Sequence, residues 1–222
     1  RRIEALSSKL CEELAMTPGE KATTLRAASL CKADLVTHMV VEMTSLQGTI
    51  GKFYALKSGE IPEVASAIFE HYLPRYAGDS VPAAKAGLIV GLADRLDTLS
   101  ALFAAGLAPT GTKDPFAQRR AALGLVISLM EWNQDFNLAS GLELAAQTLP
   151  VPATPESQRA CLDFIIGRLR SYLLDQGYRY DVVDAVLAVQ ANNPAGAFRT
   201  IKELSEMVTQ DSWLTFLQAY AR

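Results

Sequence analysis

Five apolar residues, Leu88, Leu92, Leu96, Leu99 and Phe103, recur at steps of three or four through the stretch GLIVGLADRLDTLSALFAAG. That spacing stacks side chains on one face of a helix, whereas a half-buried strand needs a period of two. The same period returns at Leu162, Ile165, Ile166, Leu169 and Leu173, and again at Val182, Val183, Val186 and Leu187. No sustained polar/apolar alternation occurs, so the chain is predicted to be all-α, with nine or ten helices.

Helix starts carry chemical marks. Thr17-Pro18, Asp114-Pro115 and Thr154-Pro155 each pair a side-chain oxygen that can accept a free backbone N–H with a proline at the first helical position, where no N–H is needed. Gly106, Gly177 and the NNPAG run from Asn192 mark stops. The stretch QTLPVPATPES holds three prolines and little charge. It predicts a first helical domain over 1–135, a linker region over 136–155 and a smaller helical group over 156–222. No internal repeat or low-complexity tract is present.

Half of the 222 residues are apolar and the formal net charge is −3. Such a chain can bury a sizeable core and is not coated in cations, although a local basic patch remains compatible with that balance. Cys11, Cys31 and Cys161 form no CxxC spacing, which suits buried thiols in a reducing compartment and predicts a cytoplasmic protein. His38 and His71 are the only histidines, too few for a structural zinc site without a cysteine cluster. No apolar run reaches the roughly 18 residues of a membrane helix. The opening RRIEAL and closing LQAYAR read as the ends of a piece excised from a longer soluble protein. A Gly-x-Ser-x-Gly elbow is absent, and Gly48 and Gly51 in LQGTIGK read as a kink between helices rather than a phosphate loop.

Three stretches carry polar residues on apolar helices: ADLVTHMVVEMT around His38, AIFEHYLPRYAGD around His71, and GLADRLDTL with Asp94 and Asp97. Together they resemble the HD superfamily of helical metal-dependent phosphohydrolases, which hold a metal through an early His, a His-Asp pair and a later Asp. LADRLDTL is similar to the Asp-bearing helix of the alarmone hydrolases, and THMVVEMT to the His-Asp helix, but Met39 stands where Asp belongs and no His precedes His38. A thioether does not replace a carboxylate for a hard cation. His38, His71 and Asp94 are therefore a degenerate set, and no metal is expected. His38 is expected as a core histidine, His71 to stack or hydrogen-bond beside Tyr72 and Tyr76, and Asp94 to pair with neighbours of Arg95 or with a buried His.

The stretch PTGTKDPFAQRRAALG places Lys113, Arg119 and Arg120 on a turn and at the start of a helix, whose free N–H groups add positive potential. This is a phosphate-binding arrangement, which Lys52, Lys57 and Arg75 could extend. The alternative is that Arg119 and Arg120 pair with carboxylates such as Asp114 or Glu131.

CKADLVTHMVVEMTSLQGTIGKFYALKSGE, VASAIFEHYLPRYAGDSVP, the stretch from Gly91 to Gly124 and GYRYDVVDAVLA closely resemble the β subunit of the bacterial two-subunit glycyl-tRNA synthetases. Thr112 and Gln118 replace Ser and Leu in the most specific of these motifs. The resemblance implies an HD-like helical bundle, followed by helices leading to a missing anticodon-binding domain. It implies a glycine–tRNA ligase whose α subunit makes the adenylate from glycine, ATP and magnesium. This piece would then bear no catalytic residue and no cofactor. Its partners would be tRNA(Gly), the α subunit and the rest of β, with no membrane or DNA. Lys113, Arg119, Arg120, Arg75, Lys52 and Lys57 would contact tRNA, whose helices are read mainly through backbone and 2′-hydroxyls. Two alternatives stand beside this: a residual metal-dependent phosphohydrolase using His38, His71 and Asp94, and a purely structural spacer in which Tyr172, Trp213 and Phe216 form core or interface.

Overall fold

The structure, a computed structural model, describes residues 1–210, 212–213 and 218–219. Phe216 lies outside them. All the regular structure described is helical: α1 Arg2–Glu13, α2 Pro18–Leu30, α3 His38–Glu42, α4 Thr49–Lys57, α5 Pro62–Glu70, α6 Lys85–Ala104, α7 Gln118–Glu131, α8 Leu138–Ala146, α9 Pro155–Asp175, α10 Tyr180–Gln190 and α11 Pro194–Met207. Two 3-10 turns, Ala33–Val36 and Thr44–Leu46, flank α3. The all-α expectation is met. The short α3 has too few turns to show a period in sequence.

The capping signals act locally as their chemistry requires. Thr17 and Glu20 form a reciprocal capping box at α2, and Thr154 accepts the Ser157 N–H at α9. Asn193 caps α11 ahead of Pro194, so NNPAG both ends one helix and starts the next. Gly106 and Gly177 follow helices at φ 71° and 89°, a region costly for residues with a Cβ. At Asp114 the outcome differs. Its carboxylate accepts from the N–H groups of Gln118 and Arg119 at 2.8 and 2.9 Å. It therefore caps α7 from the loop, and the helix begins at Gln118 rather than at Pro115.

Helix α6 is the axis of the fold, packing against α1, α2, α5, α7, α8 and α9. Its leucines 88, 92, 96 and 99 are essentially inaccessible, each worth about 1.5–3 kcal/mol of transfer free energy. On one side of α6 a large cluster gathers Leu10 of α1, Leu125 of α7, Leu142 of α8, Ile165 of α9, Val183 of α10 and Ile201 of α11. On the other, a smaller, alanine-rich cluster joins Ala27 of α2, Ala55 of α4, and Val64 and Ile68 of α5 to Val90. Asp97 of α6 is held by Arg2 of α1 through two bonds of 2.9 and 3.0 Å.

Glycine permits the closest packing of α8. A Cβ at Gly141 would lie 2.5 Å from the buried Phe136 ring and 3.2 Å from Leu96. Gly141→Ala is expected to lower unfolding free energy by about 1–3 kcal/mol through overpacking. Gly167→Ala, inside α9 where a Cβ meets nothing within 4 Å, should raise it by about 0.5–1 kcal/mol through reduced backbone entropy. Urea unfolding of the two variants checks both signs.

Candidate functional site

Residues remote in sequence meet beside the middle of α6. Lys32 follows the end of α2, His71 closes α5, and Asp94 projects from α6. The Lys32 ammonium lies 2.8 Å from Asp94 Oδ2, 3.0 Å from His71 Nε2 and 4.3 Å from the centre of the Tyr72 ring. His71 Nδ1 sits 2.6 Å from the Ile68 carbonyl, so Nδ1 carries the hydrogen and donates, and Nε2 accepts from lysine. The ammonium thus has a carboxylate, an imidazole nitrogen and an aromatic face as its three partners. Burial, reinforced by the Lys32 charge, lowers the His71 pKa to about 3. Burial pushes the Asp94 carboxyl up, but Lys32 and its other charged neighbours outweigh that and hold it below the ordinary value.

Arg95, one residue further along α6, is buried and donates to the carbonyls of His71, Tyr72, Leu73 and Pro74 at 2.7–3.3 Å. Two glycines make room for it. A Cβ at Gly91 would fall 2.7 Å from Nη1, and one at Gly124 of α7 would fall 2.7 Å from Nε. Burial lowers the Arg95 pKa to about 10, against the opposing pull of Asp94, so it remains a cation at neutral pH. Lys32 and Arg95 together fix the turn after α5.

That turn forms one wall of a cleft of about 290 Å³, with Gln47, Arg75, Asp94, Phe116 and Arg120 among its lining residues. Of the cations singled out in the sequence, Arg75 and Arg120 line it and the other four do not. Arg75 is bound by Asp79 at 2.8 Å. Arg119 lies 3.7 Å from Asp114 and donates to the Gly111 carbonyl. Arg120 and Lys113 are exposed and have no ion-pair partner among the described residues. Lys57 lies over the Phe53 ring on α4, and Lys52 is half-buried on the same helix. The α7 amides that were expected to favour phosphate are taken up at Gln118 and Arg119 by Asp114.

His38 corrects its expectation. It is exposed on α3, 3.9 Å from Glu42, rather than a core histidine, because Val40 is the residue of that helix that turns inward. Gly48 and Gly51 serve packing: Gly48 (φ 77°) donates to Asp34 and abuts Tyr72, while a Cβ at Gly51 would strike Ile68. The residues do not fit a divalent cation. No group of three His, Cys, Asp or Glu side chains among the described residues could hold one, and His71 and Asp94 already accept from an ammonium. Sequence reasoning missed Lys32 and Arg95. The one signal was a lone cation inside each of two apolar runs, SLCKADLV and GLADRLDTL.

A family model described as glycyl-tRNA synthetase beta subunit matches residues 1–188. Proteins named glycine–tRNA ligase beta subunit are similar along the chain. The one from Halalkalibacterium halodurans is 39% identical over 227 residues, covering 100% of this chain and 33% of its own. That from Moorella thermoacetica is 39% identical over 228 residues, with the same shares. That from Ralstonia nicotianae is 46% identical over 188 residues, covering 84% of this chain and 26% of its own. The chain spans about a third of the length of the curated relatives it matches.

Lys32→Met leaves the buried His71 Nε2 and the part-buried Asp94 carboxylate without their donor and is expected to cost about 1–3 kcal/mol in urea unfolding. The pH dependence follows from His71. The folded chain keeps it neutral down to about pH 3, whereas its ordinary value is 6.5. Between these values the unfolded state holds the extra proton, so stability falls as pH drops below 6.5. The slope from this group approaches about 1.4 kcal/mol per pH unit. Between pH 6.5 and 5 a His71→Gln variant should show a flatter profile than the parent.

Proposed function

The chain belongs to the glycyl-tRNA synthetase beta-subunit family, and on that premise we propose that it is a tRNA-contacting module of a glycine–tRNA ligase. Within the longer β polypeptide it supports ATP-dependent glycylation of tRNA(Gly), while the α subunit binds ATP and magnesium and makes the adenylate. It works in the cytoplasm and contributes no catalytic residue of its own. Its task is to hold RNA phosphates, which needs fixed cations on a rigid surface rather than a reactive group.

The observation that carries this reading is the cleft beside the turn after α5. Asp94 is its carboxylate, and Lys32 already neutralises it. Asp79 likewise offsets Arg75, so Arg95 and Arg120 are what leave the lining with an excess of positive charge. Arg120 on the cleft wall and Lys113 on the preceding turn, both exposed and without an ion-pair partner among the described residues, make the principal phosphate contacts. Arg75 and Arg119 contribute less, since each must share its charge with Asp79 or Asp114. Lys52 and Lys57, on α4 and outside the cleft lining, are assigned weaker contacts to the same RNA.

The test is tRNA binding by the assembled α and β subunits across a salt series. Arg120→Ala and Lys113→Ala should each weaken binding and lower the log–log salt slope by about 0.7–0.9 per lost phosphate contact. Adenylate formation, assigned to α, should not change. A slope identical to the parent in the double variant would contradict the RNA role and leave the module a spacer.

A further inference from the structure

Away from the cleft, residues 35–43 present apolar side chains to solvent. Leu35, Val36, Met39, Val41 and Met43 are all exposed, Val36 by 86% and Val41 by 62%, while Val40 alone is buried. Glu42, 3.9 Å from His38, is the only Asp, Glu, Lys or Arg of the stretch. Helix α3 packs chiefly against the two 3-10 turns that flank it. It is therefore an apolar edge carried outside both hydrophobic clusters. Scattered exposed apolar residues are ordinary on a protein surface, but five within nine positions form a patch of the kind that is covered by another surface.

Size decides what covers it. Association between separate chains pays for lost translational and rotational freedom, and stable interfaces bury about 800 Å² per partner. One nine-residue segment falls well short of that. A covering surface on the same polypeptide is held at high effective concentration by the chain itself, and a small apolar contact then suffices. The relatives are about three times the length matched here, so proteins of this family carry abundant chain outside the present fold.

We propose that the 35–43 face is the docking seat for an apolar surface of another part of the same β-subunit polypeptide. The experiment uses single thiols. Val36→Cys and Val41→Cys are introduced separately into the full β polypeptide, where the native Cys11, Cys31 and Cys161 are buried in the present fold. Labelling rates are compared with those of the same thiols in denaturant. Both should react at least about tenfold more slowly in the folded β polypeptide, regardless of protein concentration and without the α subunit. Adding Val36→Asp to the Val41→Cys protein should restore fast labelling. Rates close to those in denaturant would overturn the proposal. So would protection that appears only with α, which marks a separate subunit, or only at high concentration, which marks a second copy.

Discussion

A single ammonium group, that of Lys32, joins the end of α2 to the end of α5 and to the middle of α6. Its partners are an imidazole with about 1% of its surface exposed, costly to leave unsatisfied in a low-dielectric interior, and the part-buried carboxylate of Asp94. Beside it, Arg95 gathers four successive carbonyls of the turn after α5, a turn whose backbone would otherwise lack donors. The packing of α2 and α5 on α6, through the alanine-rich cluster, brings backbones close enough for these two cations to reach. The position of Arg75, and hence one wall of the cleft, depends on the turn they hold.

This accounts for the character of the site. His71 and Asp94 are the residue types that hold metals, and in sequence they resemble part of a hydrolase constellation. In the fold both are spent on an ammonium. A lysine is monovalent and directs its charge through discrete N–H bonds. A divalent ion would instead polarise a bound water strongly enough to deprotonate it near neutral pH. The cleft beside the ammonium keeps Arg95 and Arg120 in its lining, with no carboxylate paired to either among the described residues.

The helices were legible because their signals are local. Period, caps and stopping glycines involve residues a few positions apart, and Thr17, Thr154 and Asn193 act as their residue types suggest. Asp114 shows the limit: a carboxylate reaching from a loop caps a helix that begins four residues later, and Asp-Pro alone cannot reveal that reach. His38 shows another. Apolar spacing says that a face exists, not whether this part of the chain covers it. The roles of Lys32 and Arg95 were not legible, because the partners lie 39 and 62 residues from Lys32 and 21–24 from Arg95. A lone cation in an apolar run hints at burial without naming the acceptor. Of the basic residues read as one phosphate surface, Arg75 and Arg119 have carboxylate partners four and five positions away, a pairing the sequence does contain.

The central claim, that Lys32 donates to a neutral His71, is most directly tested by nitrogen-15 NMR of the imidazole. The account predicts a neutral ring protonated at Nδ1, with Nε2 in its unprotonated range and no titration between about pH 8 and pH 5. A ring that titrates near its ordinary value of about 6.5, or one that carries its proton on Nε2, would contradict it.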